Sequence, residues 1–197
     1  MVTADCLADK GHSILGVETD PEKLDRLNRG RSPVVEDGLN ELVRGGIQNG
    51  RIRVYDRGDR AVRESDMAMI CVGTPGRADG GLDTGFVKKV AEEIGSALKH
   101  LPGRYSVVIR STLLPGTTVR QIIPALQGAS GKRVDRDFDV CVYPEFMREG
   151  NSIDDFNNPP LVVMGVRRPE AALPVLELCK PGDSPCFVTS VETAEMI

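Results

Sequence analysis

Histidine is scarce in this chain, and cysteine never occurs in a pair spaced for a metal. Only His12 and His100 are present, each beside an expected helix end, so imidazole ligation is not expected and no metal site is assigned. The five cysteines, Cys6, Cys71, Cys141, Cys179 and Cys186, are odd in number and form no C-x-x-C pair. That argues against a zinc site or a disulfide framework and suits reduced core thiols. Charge of one sign is nowhere concentrated: 25 Lys plus Arg stand against 29 Asp plus Glu, a net charge of -4. Nucleic acid and anionic membranes are therefore not expected as partners. No apolar run reaches membrane length and no basic-then-apolar leader opens the chain, which points to a cytoplasmic protein. Internal repeats and low-complexity linkers are also missing.

What is present is organised around Met67 to Pro75, MAMICVGTP. The nearly unbroken apolar run Met67 to Val72 is short for a helix and lacks the alternation of a half-wet strand, so it predicts a strand buried on both sides, as in parallel sheets covered by helices. Gly73-Thr74-Pro75 then turns at the carboxyl end of that strand, the rim on which open α/β sheets bind ligands.

The rest of the 197 residues alternates in the same way. Met1 to Lys10 reads as a helix closed by Gly11, and Ser13 to Glu18 as a buried strand. Asp20 and Pro21 open a helix with Leu24 and Leu27 inside, closed by Asn28-Arg29-Gly30. Ser32 to Val35 is an extended connector. Leu39, Leu42 and Val43 mark a short helix ended by Gly45-Gly46 and Asn49-Gly50, followed by a strand over Arg51 to Tyr55. A polar helix, Gly58 to Ser65, leads into the Met67 strand, and Val87, Val90, Ala91, Ile94 and Leu98 recur at helical spacing beyond it. Ser106 to Ser111 and Phe138 to Tyr143 are further strands, separated by a helix that Pro124 should kink or shorten. Leu161 to Val166, Pro169 to Leu178 and Pro185 to Thr189 give strand, helix and strand, and Val191 starts a last helix. Repeated βα units predict a doubly wound, mostly parallel sheet with right-handed crossovers.

Two places carry chemistry. Glu18 ends a strand that follows a helix, where dinucleotide-binding folds place an acid to accept from ribose hydroxyls; it equally suits a merely solvated strand end. Tyr143 to Gly150, YPEFMREG, sets Glu145, Arg148 and Glu149 just past a strand end, where two carboxylates and an arginine can do acid-base work or grip polar groups, or form a charged loop. Ser111-Thr112 supplies hydroxyls at the neighbouring strand end.

CVGTP, RSTLLPGTT, PEFMREG, NRGRSPVVEDGLNELV and the terminal VETAEMI occur in this order. As a set they resemble the UDP-glucose/GDP-mannose dehydrogenases, with NRGRSPVVEDGLNELVRGGIQNG and MICVGTPGRADGGLD most similar to the GDP-mannose branch. The resemblance covers the whole chain but only the NAD-binding domain of the family, which implies a Rossmann-like fold over residues 1–190 and, in 191–197, the start of a helix leading to further domains. It implies oxidation of a nucleotide sugar, GDP-mannose or UDP-glucose, at C6 from alcohol to carboxylate with two NAD+ through a thioester, in an enzyme expected to be a homo-oligomer. By similarity Glu18 matches the acid on the adenosine ribose of NAD and Lys23 a basic residue that also holds the cofactor, Thr74 lies beside the dinucleotide, and Thr112 stands near the nicotinamide and the reactive water. Glu145 matches the carboxylate acting in thioester hydrolysis, and Glu149 a glutamate on the substrate.

The chain departs from that pattern at its ends. The family opens on a strand and a G-x-G-x-x-G turn whose amides bind pyrophosphate, whereas here the first helix begins near Met1, so a first strand and its turn are expected to be lacking. No cysteine lies in a G-G-S-C-like motif, and the sequence stops at Ile197 before a substrate-binding lysine. Asp37 stands where EPGL is usual, and Tyr143 where an asparagine commonly precedes the proline. The expectation is a truncated, inactive piece of the enzyme whose sheet has a gap between the Ile14 and Met67 strands. A non-catalytic relic or interaction module is the second reading. Another NAD-dependent dehydrogenase is the third, against which PEFMREG and VETAEMI argue.

Overall fold

The computed structural model describes residues 1–179 and 182–197. Its elements in chain order are α1 (Val2–Asp9), β1 (Ile14–Val17), α2 (Pro21–Asn28), α3 (Leu39–Gln48), β2 (Ile52–Tyr55), α4 (Gly58–Arg63), β3 (Met67–Ile70) and α5 (Gly85–Leu98). These are followed by β4 (Tyr105–Ile109), α6 (Ile123–Ser130), β5 (Phe138–Val142), α7 (Ser152–Asn157), β6 (Val162–Val166), α8 (Leu173–Cys179), β7 (Cys186–Thr189) and α9 (Val191–Met196). Two compact units result. The first comprises Met1–Ala61, Phe146–Pro160 and Leu178–Ser184, and the second Val62–Glu145, Leu161–Glu177 and Pro185–Ile197.

In the first unit, local signals act as the sequence predicts. At the end of α1 the Gly11 amide donates to Ala8 O and the His12 amide to Leu7 O, at 3.0 and 3.1 Å, a closure that Gly11 permits with φ +99. The Asp20 carboxylate accepts from the Glu22 and Lys23 amides at 2.9 and 3.2 Å, and Pro21 fills the first turn where no amide is needed. The expected break at Gly45-Gly46 does not occur, because α3 runs on to Gln48. A Cβ on Gly46 would lie 2.4 Å from the Ile52 Cδ1, so that glycine serves close packing of α3 on β2. Gly50, at φ +72, follows the helix end. Cys6, Leu7 and Phe156 form one buried cluster, and Leu27, Leu39 and Val43 another.

In the second unit β3 to β7 form one sheet in sequence order. Pairing is parallel except between β5 and β6, where Cys141 faces Val166 and Val142 faces Gly165 in antiparallel register. Every residue of β4 except Ser106, and every residue of β5 and β6, is buried. Pro124 sits in the first turn of α6, and a π turn over Thr118–Ile122 precedes it, so the proline shortens the regular helix as expected. On β5 the buried Asp139 is bound by Arg104 and by Arg168, the latter at 3.2 Å. This satisfies a charge that would otherwise be costly inside a sheet.

Among the described residues β1 pairs only with β2, in the parallel sheet of the first unit, and β3 only with β4, in that of the second, while residues 2–9 are helical and supply no strand. Burial on both sides is corrected, however: β3 ends at Ile70, its one buried residue, and β1 is half-exposed throughout apart from the exposed Val17. A strand partnered along one edge lacks the neighbour that would cover its other side, so apolar runs overstate its burial.

Candidate functional site

The second unit gathers several candidate groups at the carboxyl ends of β3, β4 and β5. Past Ile70 the β3 chain is tied to that beyond β4: the Arg110 amide donates to Ile70 O at 2.9 Å and the Ser111 hydroxyl to Val72 O at 2.6 Å. The Thr74 hydroxyl then donates to the Thr112 carbonyl at 2.9 Å. Thr112 is exposed and Thr74 half-exposed, so two threonines stand on the rim where parallel sheets take ligands. Glu145, exposed just beyond β5, ends the first segment of the same unit.

Continuing the registers Ile70↔Ile109 and Ile109↔Val142 places Cys71, Arg110 and Tyr143 in one row across the sheet. The buried Arg110 guanidinium lies 4.4 Å from the centre of the Tyr143 ring, a cation–π contact in a desolvated setting. Tyr143, the residue that departs from the family pattern, thus packs against the arginine. Desolvation raises the Cys71 thiol above its ordinary value, Arg110 opposing and Glu145 reinforcing the shift. A raised thiol is the opposite of the depressed one that activates a cysteine nucleophile.

The first unit holds the remaining candidates. Glu18 leaves β1 with its amide donating to Tyr55 O at 3.0 Å, and its Oε1 accepts from the Asp20 amide at 2.9 Å. A carboxylate has lone pairs for further donors, and the half-exposed Glu18 side chain can receive them. Lys23, in the first turn of α2, is exposed. Glu149 is exposed as well, but its neighbour Arg148 is not a free gripping group: its Nε and Nη2 donate to the buried Asp155 carboxylate at 3.1 and 2.7 Å. Those bonds, with the Arg148 amide and the Asn151 side chain, hold Asp155 well below the usual carboxylate range.

Two glutamates that the motifs did not single out organise the loops. Glu36 accepts from the Gly150 and Ser152 amides at 3.1 and 2.9 Å, beside Glu149, and these bonds lower its pKa. Glu195, on α9, accepts from the Gly116 and Thr118 amides at 2.5 and 2.7 Å. Each lies more than seventy residues from its partners (114 and 79, for example), so only a carboxylate-rich motif, VVED or TAEM, hinted at either.

The sequence model of the UDP-glucose/GDP-mannose dehydrogenase family, NAD binding domain, matches residues 1–181. The chain belongs to that family. It is 41% identical to GDP-mannose 6-dehydrogenase of Pseudomonas putida over 196 residues, covering 100% of this chain and 45% of that protein. A ternary complex of GDP-mannose dehydrogenase from Pseudomonas aeruginosa superposes with a TM-score of 0.96 at 40% identity, over 99% of this chain and 45% of that one. UDP-glucose dehydrogenase of Pyrobaculum islandicum gives 0.92 at 32% identity, over 99% and 44%. The chain thus spans about half the length of these relatives.

NAD is the cofactor of this domain, and the donor set suits part of it. A strand-end carboxylate at Glu18 can accept from vicinal ribose hydroxyls, and the paired Thr74 and Thr112 offer small polar groups at a strand rim. For a pyrophosphate the chain has no G-x-G-x-x-G turn. Among the described residues, no helix is long and apolar enough to cross a membrane.

Proposed function

We propose that this chain is the NAD-binding part of a nucleotide-sugar 6-dehydrogenase that converts GDP-mannose to GDP-mannuronate. The observation that carries this is the 41% identity to a GDP-mannose 6-dehydrogenase along the whole chain, against 35% and 34% to UDP-glucose 6-dehydrogenases from Haloferax volcanii and Bacillus subtilis. NAD+ supplies the hydride acceptor for each of the two oxidation steps. In this reading residues 1–190 form the cofactor domain and 191–197 open the helix toward further domains, in a cytoplasmic homo-oligomer.

The chain's own residues then have distinct tasks. Glu18 and Lys23 hold the adenosine end, and Thr74 lies along the dinucleotide. Thr112 orients groups at the nicotinamide end, including the water that cleaves the acyl intermediate. Glu145 accepts the proton of that water, which a solvent-accessible carboxylate at a strand end can do. Glu149 binds the sugar nucleotide. The acyl group itself requires a thiolate; Cys6, Cys141 and Cys179 are buried and the exposed Cys71 and Cys186 stand in no G-G-S-C-like motif, and in this reading the acylated cysteine belongs to a longer protein.

Two measurements test the reading. The chain by itself should bind NAD more weakly than micromolar, and should release no NADH from GDP-mannose or UDP-glucose; turnover by it would overturn the assignment. In a longer protein carrying the downstream cysteine, NADH should form from GDP-mannose in preference to UDP-glucose. There Glu145→Gln should accumulate an acyl-enzyme detectable by intact mass, while Glu149→Gln should raise KM. No adduct despite slowed turnover would remove Glu145 from its role.

A further inference from the structure

We propose that Glu195 is a positioning residue for Thr112. Both oxygens of its carboxylate are committed: Oε2 accepts from the Gly116 amide at 2.5 Å and Oε1 from the Thr118 amide at 2.7 Å. Bonds to an ionised acceptor are about twice as strong as neutral ones. They close on a turn that needs help, because Gly116 stands at φ +84 and its amide and that of Thr118 precede any helical partner. From the other side Arg120 covers Gly116 and its Nη2 donates to Pro115 O at 2.8 Å.

The other end of the same loop is held by Thr74, whose hydroxyl donates to the Thr112 carbonyl. Thr112 is thus fixed through its carbonyl on one side and through the chain four residues on by Glu195. Glu195 is in turn fixed by α9, which lies on β6 at Gly165: a Cβ there would be 2.4 Å from the Ala194 Cβ and 2.9 Å from Ser190 O. The Ser190 hydroxyl caps the helix by accepting from the Thr193 amide at 3.2 Å. The placement of the exposed threonine is therefore set by a side chain 83 positions away in sequence (195 minus 112). This function of Glu195 rests on the reading of Thr112 as a cofactor-side residue.

The test uses this chain and the variants Glu195→Ala and Glu195→Gln. Amide exchange by NMR addresses the positioning itself. Glu195→Ala should raise exchange at Gly116 and Thr118, whose amides donate to its carboxylate, at least tenfold. The isosteric glutamine retains one acceptor and should protect one of the two turn amides. Unchanged exchange in both variants overturns the proposal, as does an equal rise throughout β4 and β5, which would mean general loosening. NAD titration, followed at the Thr112 amide, tests the functional link: Glu195→Ala should weaken the response about fivefold or more in the native background and by less than twofold in a Thr112→Ala background. Equal loss in both backgrounds overturns the link to Thr112. If the unaltered chain shows no response to NAD at any residue, the cofactor reading of Thr112 fails while the exchange result still decides whether Glu195 positions it.

Discussion

The Thr74 hydroxyl donates to the Thr112 carbonyl at 2.9 Å, joining the loops that leave β3 and β4. Thr74→Val keeps the side-chain shape and removes this bond. The expected loss of stability is about 1 kcal/mol or less, since the bond is exposed, whereas the response of Thr112 to NAD should weaken severalfold. Urea denaturation and NMR titration read the two effects; a stability loss with an unchanged NAD response would separate Thr74 from cofactor binding.

A carboxylate with no partner sets the pH response of the first unit. Asp5, on α1, is 1% exposed and neither oxygen has a hydrogen-bond partner among the described residues, and burial pushes its pKa from 3.8 up to about 7. The folded state then keeps a proton that the unfolded chain has released, and stability falls as pH rises from about 4 to about 7 and stays low above it. The displacement amounts to at most about 4 kcal/mol at pH 8. Asp155 and Glu36 of the same unit, held below their usual values, act in the opposite sense and lose their contribution as the pH falls through the acid range. Asp5→Asn should therefore gain over the native chain as the pH is raised from 5 to 8. Urea midpoints for the two proteins that remain parallel across this range would contradict it.

Arg148 and Asp155 should matter to order in the loop that carries Glu149. Arg148→Met leaves the buried Asp155 with the Arg148 amide and Asn151 as donors, so its carboxyl should return toward the ordinary range and the urea midpoint should drop. Carboxyl-carbon NMR across acid pH measures the first directly. An unmoved Asp155 titration would show that the backbone donors suffice.

Glycines at similar places in the paired helices should respond oppositely to alanine. At Gly95 on α5 a Cβ would lie 2.8 Å from Leu126 O and 2.9 Å from the Ala129 Cβ on α6, so overpacking of about 1–3 kcal/mol exceeds the helical gain of about 1 kcal/mol. At Gly128 nothing lies within 4 Å, and alanine should stabilise by about 0.5–1 kcal/mol. Thermal melts of Gly95→Ala and Gly128→Ala should move in opposite directions, and a rise in both would show that α5 and α6 are less tightly apposed.

These residues also show which signals a sequence carries. Asp20 and Gly11 act on amides within a few positions, and both were legible because capping is local. Gly45-Gly46 looked like a break because its purpose, contact with Ile52, depends on a strand not yet folded against it. The Met67 run identified a strand and its rim, yet its hydropathy could not reveal that β3 has a partner on one side only. Thr74, Thr112 and Glu145 were visible as strand-end polar groups in one unit, and Glu18 and Glu149 in the other, whereas Lys23 was pointed to only by the family resemblance. The partners that hold their loops, Glu36 and Glu195, reach across more of the chain than any local pattern spans.

Each compact unit is assembled from three separate stretches of sequence that alternate along the chain, so the polypeptide passes from one to the other five times. Neither can be excised as a contiguous fragment, and after a single cut by a protease in any one connection the two units are still joined through the other four. Circular permutation is the informative way to probe them: new termini opened in a connection keep every segment covalently present, whereas deletion from either end removes part of one unit at a time.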